Sequence, residues 1–191
     1  DVTGVQTCAL PISVTLVTPI SGSIYEVTVS GGNLASFNGT VGIDFDPAQN
    51  ITDLAGNALP TTEPATDETY LVDNTAPVLN SFTRFNPATS PTNADTLIFR
   101  ATFSEPVLNP NSTDFTVSGG TTATITRFVP AGGNAYDITV SGGDLASFNG
   151  TVGLDIAAGQ DITDLAGNAL PTVEPATDET YVVDNLAPTV D

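Results

Sequence analysis

Three acidic loop segments carry the side chains of this sequence that are best suited to chemistry. The segment FSEPV contains Glu105, DLAGN contains Asp164 and Asn168, and VDNTAP contains Asp73 and Asn74. Their carboxylate and amide oxygens are the hard ligands that Ca²⁺ prefers, and the ion takes roughly six to eight of them. The pattern therefore predicts a calcium site built from these residues.

Ordinary turn chemistry is the alternative interpretation of the same residues. Asp164 and Asn168 lie close to a glycine and could hydrogen-bond their own turn, as Asx residues commonly do. Glu105 could be a solvated loop residue, and the sequence contains no EF-hand or calcium-binding nonapeptide pattern. Asp178 and Glu179 are the next candidates, although an acidic pair just before a strand is usually only solvated. Both interpretations stay open from the sequence.

The rest of the composition argues against an enzyme. The chain has no His and no Trp, its basic residues are Arg84, Arg100 and Arg127, and its one cysteine is Cys8. The usual bases and nucleophiles are therefore absent, and a carboxylate-pair glycosidase is the main catalytic chemistry left. Such an enzyme needs aromatic side chains that stack on sugars, whereas a core requires most of the Phe and Tyr residues here. We predict that the protein is not an enzyme.

The charge balance excludes further classes of partner. With 22 acidic residues against three basic ones, the net charge is −19, which disfavours binding to nucleic acid or to anionic lipid. The chain is still 40% hydrophobic, so it can bury a core. No run of 18 apolar residues occurs, and we predict no direct membrane insertion.

A long internal repeat organises the chain. Residues 30–77 align without a gap on residues 141–188 at a constant offset of 111, and 38 of these 48 positions are identical. A fixed period with such identity is typical of tandem modules. The neighbouring repeats of the same chain are therefore its expected partners.

The repeat also sets the predicted domain boundaries. The alignment still holds for Ile12–Tyr25 and stops upstream, where Val2–Ile12 match the translation of a sequencing-adaptor DNA. Residues 1–12, including Cys8, are therefore predicted to be non-native. Residues 13–74 are predicted to be the C-terminal half of a truncated module, 75–185 a complete module, and 186–191 the start of a further one.

Short alternating or β-branched runs between turn residues predict an all-β fold without helices. Seven such runs in about 110 residues indicate immunoglobulin-like antiparallel β-sandwich repeats, one truncated and one complete. Leu97, Phe99 and Phe103 are the predicted core of the second run, Tyr136 and Tyr181 are expected to pack, and Phe148 is expected to close one end. The predicted strands are Val78–Asn86, Thr96–Phe103, Asp114–Ser118, Thr122–Val129, Tyr136–Ser141, Thr151–Ile156 and Glu179–Asp184.

Three motifs give the chain a family resemblance. The segment NPATSPTNADTLIFRATFSEPV at Asn86–Val107, together with DLAGN and VDNTAP, resembles the bacterial Ig-like repeats of very large secreted or surface adhesins, and the resemblance covers residues 13–191. It implies extender modules, outside the cell or on the bacterial cell surface, that hold a terminal ligand-binding domain away from the cell. Many such modules bind calcium between neighbours. Cell adhesion and biofilm formation are the processes this implies.

Sandwich topology gathers the predicted ligands independently of the resemblance. The loops after the second and sixth strands lie at the pole where the first strand begins, and Glu105 and Asp164 occupy these loops while Asp73 leads into that strand. We therefore predict a stalk module stiffened by calcium at its junctions. The alternative is a carbohydrate- or protein-binding module of a secreted protein, but near-identity of the two copies favours a spacer. The truncated module lacks three strands, so residues 1–74 are expected to be mobile or prone to association.

Overall fold

The structure of the chain is a computed structural model that describes residues 5–7 and 12–190. Two compact units, Asp1–Thr75 and Ala76–Asp191, divide the chain. The described residues form strands and loops apart from the short 3₁₀ turns Leu34–Ser36, Ser112–Asp114 and Leu145–Ser147. None of the helical segments in this part of the chain is long and apolar enough to cross a membrane.

The first unit consists of three strand pairs, as far as the structure describes it. Strand β2 forms a hairpin with β3, β4 pairs with β6, and β1 pairs with β5, all antiparallel. Few apolar side chains are removed from water, since the buried core is formed by Ile12 and Val41. The strands are β1 (Val5–Thr7), β2 (Ser13–Ser21), β3 (Ile24–Ser30), β4 (Gly39–Val41), β5 (Ile43–Phe45) and β6 (Tyr70–Val72).

The second unit is a sandwich of two larger sheets. One has the order β11-β12-β8-β7-β15 and the other β10-β13-β16, while β9 pairs with β14 beside them. Apart from the parallel pair of β15 with β7, the pairs are antiparallel. The strands are β7 (Leu79–Asn86), β8 (Thr96–Phe103), β9 (Val107–Leu108), β10 (Phe115–Ser118), β11 (Thr124–Gly132), β12 (Ala135–Ser141), β13 (Gly150–Ile156), β14 (Thr163–Asp164), β15 (Thr177–Asp178) and β16 (Tyr181–Val183).

This strand order confirms the predicted fold class. Without the short strands β9, β14 and β15, the unit has seven strands: β7, β8, β10, β11, β12, β13 and β16. The fourth, fifth, second and first of these form one sheet, and the third, sixth and seventh form the other. This is the arrangement of an immunoglobulin-like sandwich. The pairs β9–β14 and β15–β7 add short ladders that the sequence did not predict. Asp114 was predicted to begin the third strand, but it lies in a 3₁₀ turn capped by Asn111.

A continuous apolar core lies between the two sheets of the second unit. Alternation along β8 places Leu97, Phe99 and Phe103 inside, each at most 2% exposed, as predicted. Phe99 meets the fully buried Tyr181 of the opposite sheet edge-on, with ring centroids 4.9 Å apart. The Tyr181 hydroxyl donates to the Ile98 carbonyl at 2.8 Å, so the ring is fixed at both ends. Tyr136 and Phe148 are partly buried against the same core.

Identical sequence adopts different structure in the two units. The segment PATDETY occurs at residues 64–70 and 175–181. In the second copy, Thr177–Asp178 pair with β7 and Tyr181 is fully buried. In the first copy the corresponding residues form no strand before Tyr70, and Tyr70 is 78% exposed. Tertiary partners, rather than local preference, therefore create this part of the sandwich.

Candidate functional site

The DLAGN segment folds as a self-contained turn around its first carboxylate. Oδ1 of Asp164 accepts the backbone N–H groups of Ala166 and Asn168, both at 2.8 Å, and Oδ2 accepts the Asn168 side-chain amide at 2.8 Å. Gly167 adopts a φ of +92°, which favours glycine. In the first unit, Asp53 holds its own copy of the turn through the equivalent bonds at 2.8–2.9 Å. Turn chemistry, the alternative interpretation of DLAGN, is therefore present in both copies.

The same turn keeps Asp164 ionised. Burial is the largest influence on the Asp164 carboxyl and by itself raises its pKa, but hydrogen bonds from Asn168, Ala166 and Gly167 outweigh burial and lower the pKa. Oδ2 accepts from the Asn168 side-chain amide, while the backbone N–H groups of Ala166 and Asn168 donate to Oδ1. A carboxylate oxygen has two lone pairs, so a cation could share Oδ2 without breaking the backbone bonds on Oδ1.

A short ladder brings Glu105 to the DLAGN turn inside the second unit. Val107 pairs with Asp164 and Leu108 with Thr163, so the loop containing Glu105 runs directly beside the turn. One carboxylate oxygen of Glu105 lies within 4.8 Å of one of Asp164. The start of the first sandwich strand meets the same loop, since Val78 N–H donates to Ser104 Oγ at 2.9 Å. Of the three acidic segments predicted to meet at the pole of the first strand, the two that belong to the second unit lie side by side.

Asp73 and Asn74, the other predicted ligands, lie at the end of the first unit and hold local structure there. The Asn74 side-chain amide donates to the Leu34 and Phe37 carbonyls at 3.2 and 2.7 Å. Asp73 Oδ1 accepts the N–H of Thr75 at 2.9 Å. Asn185 and Asp184 make the equivalent bonds in the second unit, at 2.7–3.3 Å. Calcium ligation by Asp73 and Asn74 stays a prediction.

A second carboxylate group, which the sequence analysis did not assemble, is present in the first unit. Oxygens of Asp44, Glu63 and Asp67 all lie within 4.8 Å of one another. Glu63 Oε1 also accepts the backbone N–H of Phe45 at 2.9 Å. In the sequence this group is indicated only by Asp44, which lies between the apolar residues Ile43 and Phe45. In a strand, its side chain points to the face opposite those of Ile43 and Phe45.

The second unit carries the counterpart of this group at Asp155, Glu174 and Asp178. Glu174 Oε1 accepts the N–H of Ile156 at 2.9 Å, as Glu63 does with Phe45. Burial is the main cause that raises the pKa of Glu174, and repulsion from Asp155 and Asp178 adds to it. Burial and then Asp155 raise the pKa of Asp178 in the same way. Three carboxylates that repel one another favour protons or a cation.

Glu179, the remaining metal candidate, has a cationic partner. Its Oε2 accepts the backbone N–H of Arg84 at 2.8 Å, and its Oε1 lies 3.5 Å from the Arg84 guanidinium. The same guanidinium donates to the Thr180 carbonyl at 2.8 Å. Glu179 was predicted to begin the last strand, but it lies between β15 and β16 and ties that connection to β7.

Comparison with known proteins identified no relative of this chain. No family model, no curated protein and no solved structure matches the chain significantly. The resemblance to adhesin repeats therefore rests on the three sequence motifs.

Proposed function

We propose that the chain is part of an extracellular stalk of a bacterial surface adhesin, in which tandem sandwich modules act as spacers. The supporting observation is that the residues shared by the two units include polar side chains that hydrogen-bond their own loops. Identical polar side chains, such as Asp53 and Asp164 or Asn74 and Asn185, make the same bonds to their own loops. Residues kept for loop structure in every copy suit a spacer, which gains length with each repeat.

Calcium at the module junctions is the second part of the proposal. Glu105 and Asp164 would supply carboxylate oxygens, with Asp73, Asn74 and Asn168 as further ligands. The approach of the Glu105 and Asp164 carboxylates to within 4.8 Å supports it, as does the low pKa of Asp164. Like charges at that spacing repel unless a cation lies between them, and the net charge of −19 offers few cationic side chains for the task.

The test uses a protein of two complete modules. Two copies of residues 75–185 joined directly recreate the VDNTAP linker, with Asp184 of the first copy at the Asp73 position. With millimolar calcium we expect a higher melting temperature and a longer particle in small-angle scattering than with chelator. Extracellular calcium modules have Kd values of roughly 10⁻⁴ to 10⁻³ M, so a tenfold excess of calcium adds about 1.4 kcal/mol.

Matched variants show which residues carry the effect. Glu105→Ala in the second copy should abolish both calcium effects, while Asp95→Ala, at an exposed position in another loop, should leave them intact. If calcium changes neither the melting temperature nor the particle length, the acidic loops are turns without a metal. Specific hits on a glycan array would instead favour the binding-module alternative over the spacer.

A further inference from the structure

A groove lies on one side of the second unit, between the turn capped by Asn111 and the strand β11. Residues 110–112 form one wall and residues 125–128 the other. The volume of the groove is about 310 Å³, at the lower end of the range of roughly 300–1,000 Å³ that is usual for ligand pockets. It therefore suits one small group rather than a large ligand.

Arg127 supplies the positive charge of this groove, and it has no acidic partner in the described part of the chain. Arg84 pairs with Glu179 and Arg100 with Asp137, whereas the exposed Arg127 makes no ion pair. A guanidinium presents its N–H donors in a planar fork that fits a carboxylate at two points. Because the whole chain carries a net charge of −19, its field repels a dianion such as phosphate more than a singly charged carboxylate.

The wall formed by residues 110–112 is held in place by its own hydrogen bonds. The Asn111 N–H donates to Asp114 Oδ2 at 2.7 Å, and Asn111 Oδ1 accepts the Thr113 N–H at 2.9 Å. Ser112 on this wall is exposed, and its hydroxyl makes no hydrogen bond with the residues that the structure describes. A fixed wall with a free hydroxyl loses little freedom when it binds a ligand that carries hydroxyl groups.

The other wall includes a rigid aromatic side chain. The Phe128 ring stacks with the rings of Phe115 and Tyr136, with centroids 5.8 and 5.1 Å away. Pro110, on the facing wall, is also apolar and half-buried. The groove thus combines a cation, a hydroxyl and fixed apolar surface, which matches the carboxylate, hydroxyl and C–H groups of an acidic sugar.

The form of strand β11 argues against an acidic peptide as the ligand. Among the described residues, β11 is an edge strand of the five-stranded sheet, and such edges can pair with an added strand. Its register is interrupted between Ile125 and Arg127 and again between Pro130 and Gly132. Pro130 also has no N–H to donate. A continuous added strand is therefore disfavoured, and a compact ligand fits better.

We propose that this groove binds a carboxylate-bearing sugar of an acidic polysaccharide, with Arg127 on the carboxylate and Ser112 on a hydroxyl group. The site goes beyond the spacer role, and it uses neither the DLAGN turn nor calcium. Leu16 takes the place of Arg127 at the offset of 111, so Arg127 is not among the residues that the two repeats share. One sugar held by one guanidinium gives a Kd on the order of 10⁻³ M. Such binding is lost when a glycan array is washed, so the array still tests for a dedicated binding module.

The experiment titrates the isotope-labelled full chain with methyl glucuronide in the presence of chelator and follows the amide chemical shifts. We expect saturable shifts at residues 110–112 and 125–128, with a Kd of about 10⁻³ M. Chelator prevents calcium from bridging the sugar to the acidic loops, so failure here and failure of the calcium proposal are distinguishable. Methyl glucoside, which lacks the carboxylate, should bind about fivefold more weakly or less.

Matched variants assign the binding to Arg127. Arg127→Leu, which introduces the residue of the other repeat, should weaken glucuronide binding by about fivefold or more. Its melting temperature should stay unchanged, because Arg127 is exposed and makes no ion pair. Thr124→Leu, at an exposed position of β11 outside the groove, should bind like the natural chain.

Several results would overturn the proposal. One is the absence of saturable shifts at the two walls, and another is unchanged glucuronide binding in Arg127→Leu. Equal binding of acetate would show that the groove holds any carboxylate and selects no sugar. Tighter binding of glucose 6-phosphate than of methyl glucuronide would show that the groove prefers a dianion.

Discussion

Removing the hydroxyl of Tyr181 should destabilise the second unit, whereas the same change at Tyr70 should have almost no effect. Both tyrosines end the same seven-residue sequence, PATDETY. The Tyr181 ring is fully buried and its hydroxyl donates to the Ile98 carbonyl at 2.8 Å. Tyr70 is 78% exposed. Any difference between the two Tyr→Phe variants therefore comes from tertiary structure alone.

The size of the Tyr181 effect follows from the loss of one buried hydrogen bond. Such a bond contributes about 0.5–1.5 kcal/mol net, and the Ile98 carbonyl would lose a donor. Native-state hydrogen exchange of the slowest β8 amides reports unfolding of this unit. A loss of about 1 kcal/mol makes those amides exchange about fivefold faster in Tyr181→Phe. Unchanged β8 exchange in Tyr181→Phe, or equal acceleration in Tyr70→Phe, would refute the reasoning.

The other predictions use the same contrasts between units and between ionised groups. Burial and neighbouring acids raise the pKa of Glu174, so its ionised form opposes folding at neutral pH. Glu174→Gln should therefore raise the melting temperature at pH 7. This gain should vanish as the pH falls below about 4.3, where the carboxyl is protonated in the unfolded chain as well. Arg100→Ala and Asp137→Ala, with the double variant, should give a coupling energy of about 0.5–1 kcal/mol in urea unfolding, because the pair is only partly exposed. Asp164→Asn should lower the melting temperature more than Asp53→Asn, since Asp164 is buried and Asp53 is exposed. Amides of β3 should exchange faster than those of β12, because β12 is paired on both sides.

Features that depend on local sequence were predictable from the chain. Alternation in Thr96–Phe103 gave the bounds of β8 and its buried face without error. The DLAGN turn also depends on neighbours within five residues, which is why Asp53 and Asp164 form it alike. The sequence left two interpretations of this motif open; the turn bonds are present in both copies, and calcium ligation by Asp164 and Asn168 stays a prediction.

Features that depend on distant partners were not predictable in this way. Strand β15 exists only where β7 lies beside it, although its sequence occurs in both units. The carboxylate group of Asp44, Glu63 and Asp67 joins Asp44 to residues 19 and 23 positions later, and no periodic pattern marks it. Asp114 was predicted to begin a strand, but it ends the 3₁₀ turn that Asn111 caps.

The hydrogen bonds of the predicted ligands also limit how a calcium ion could be held. Asp164 uses Oδ1 for two backbone donors, and the amides of Asn168 and Asn74 donate to protein oxygens. If these bonds persist, Asp164 offers the ion a single oxygen rather than a bidentate carboxylate. Backbone carbonyls and water must then complete the roughly six to eight ligands that calcium requires. Fewer available carboxylate oxygens mean weaker binding, so we expect a Kd toward the upper end of roughly 10⁻⁴ to 10⁻³ M, where loading and stiffness vary with calcium concentration.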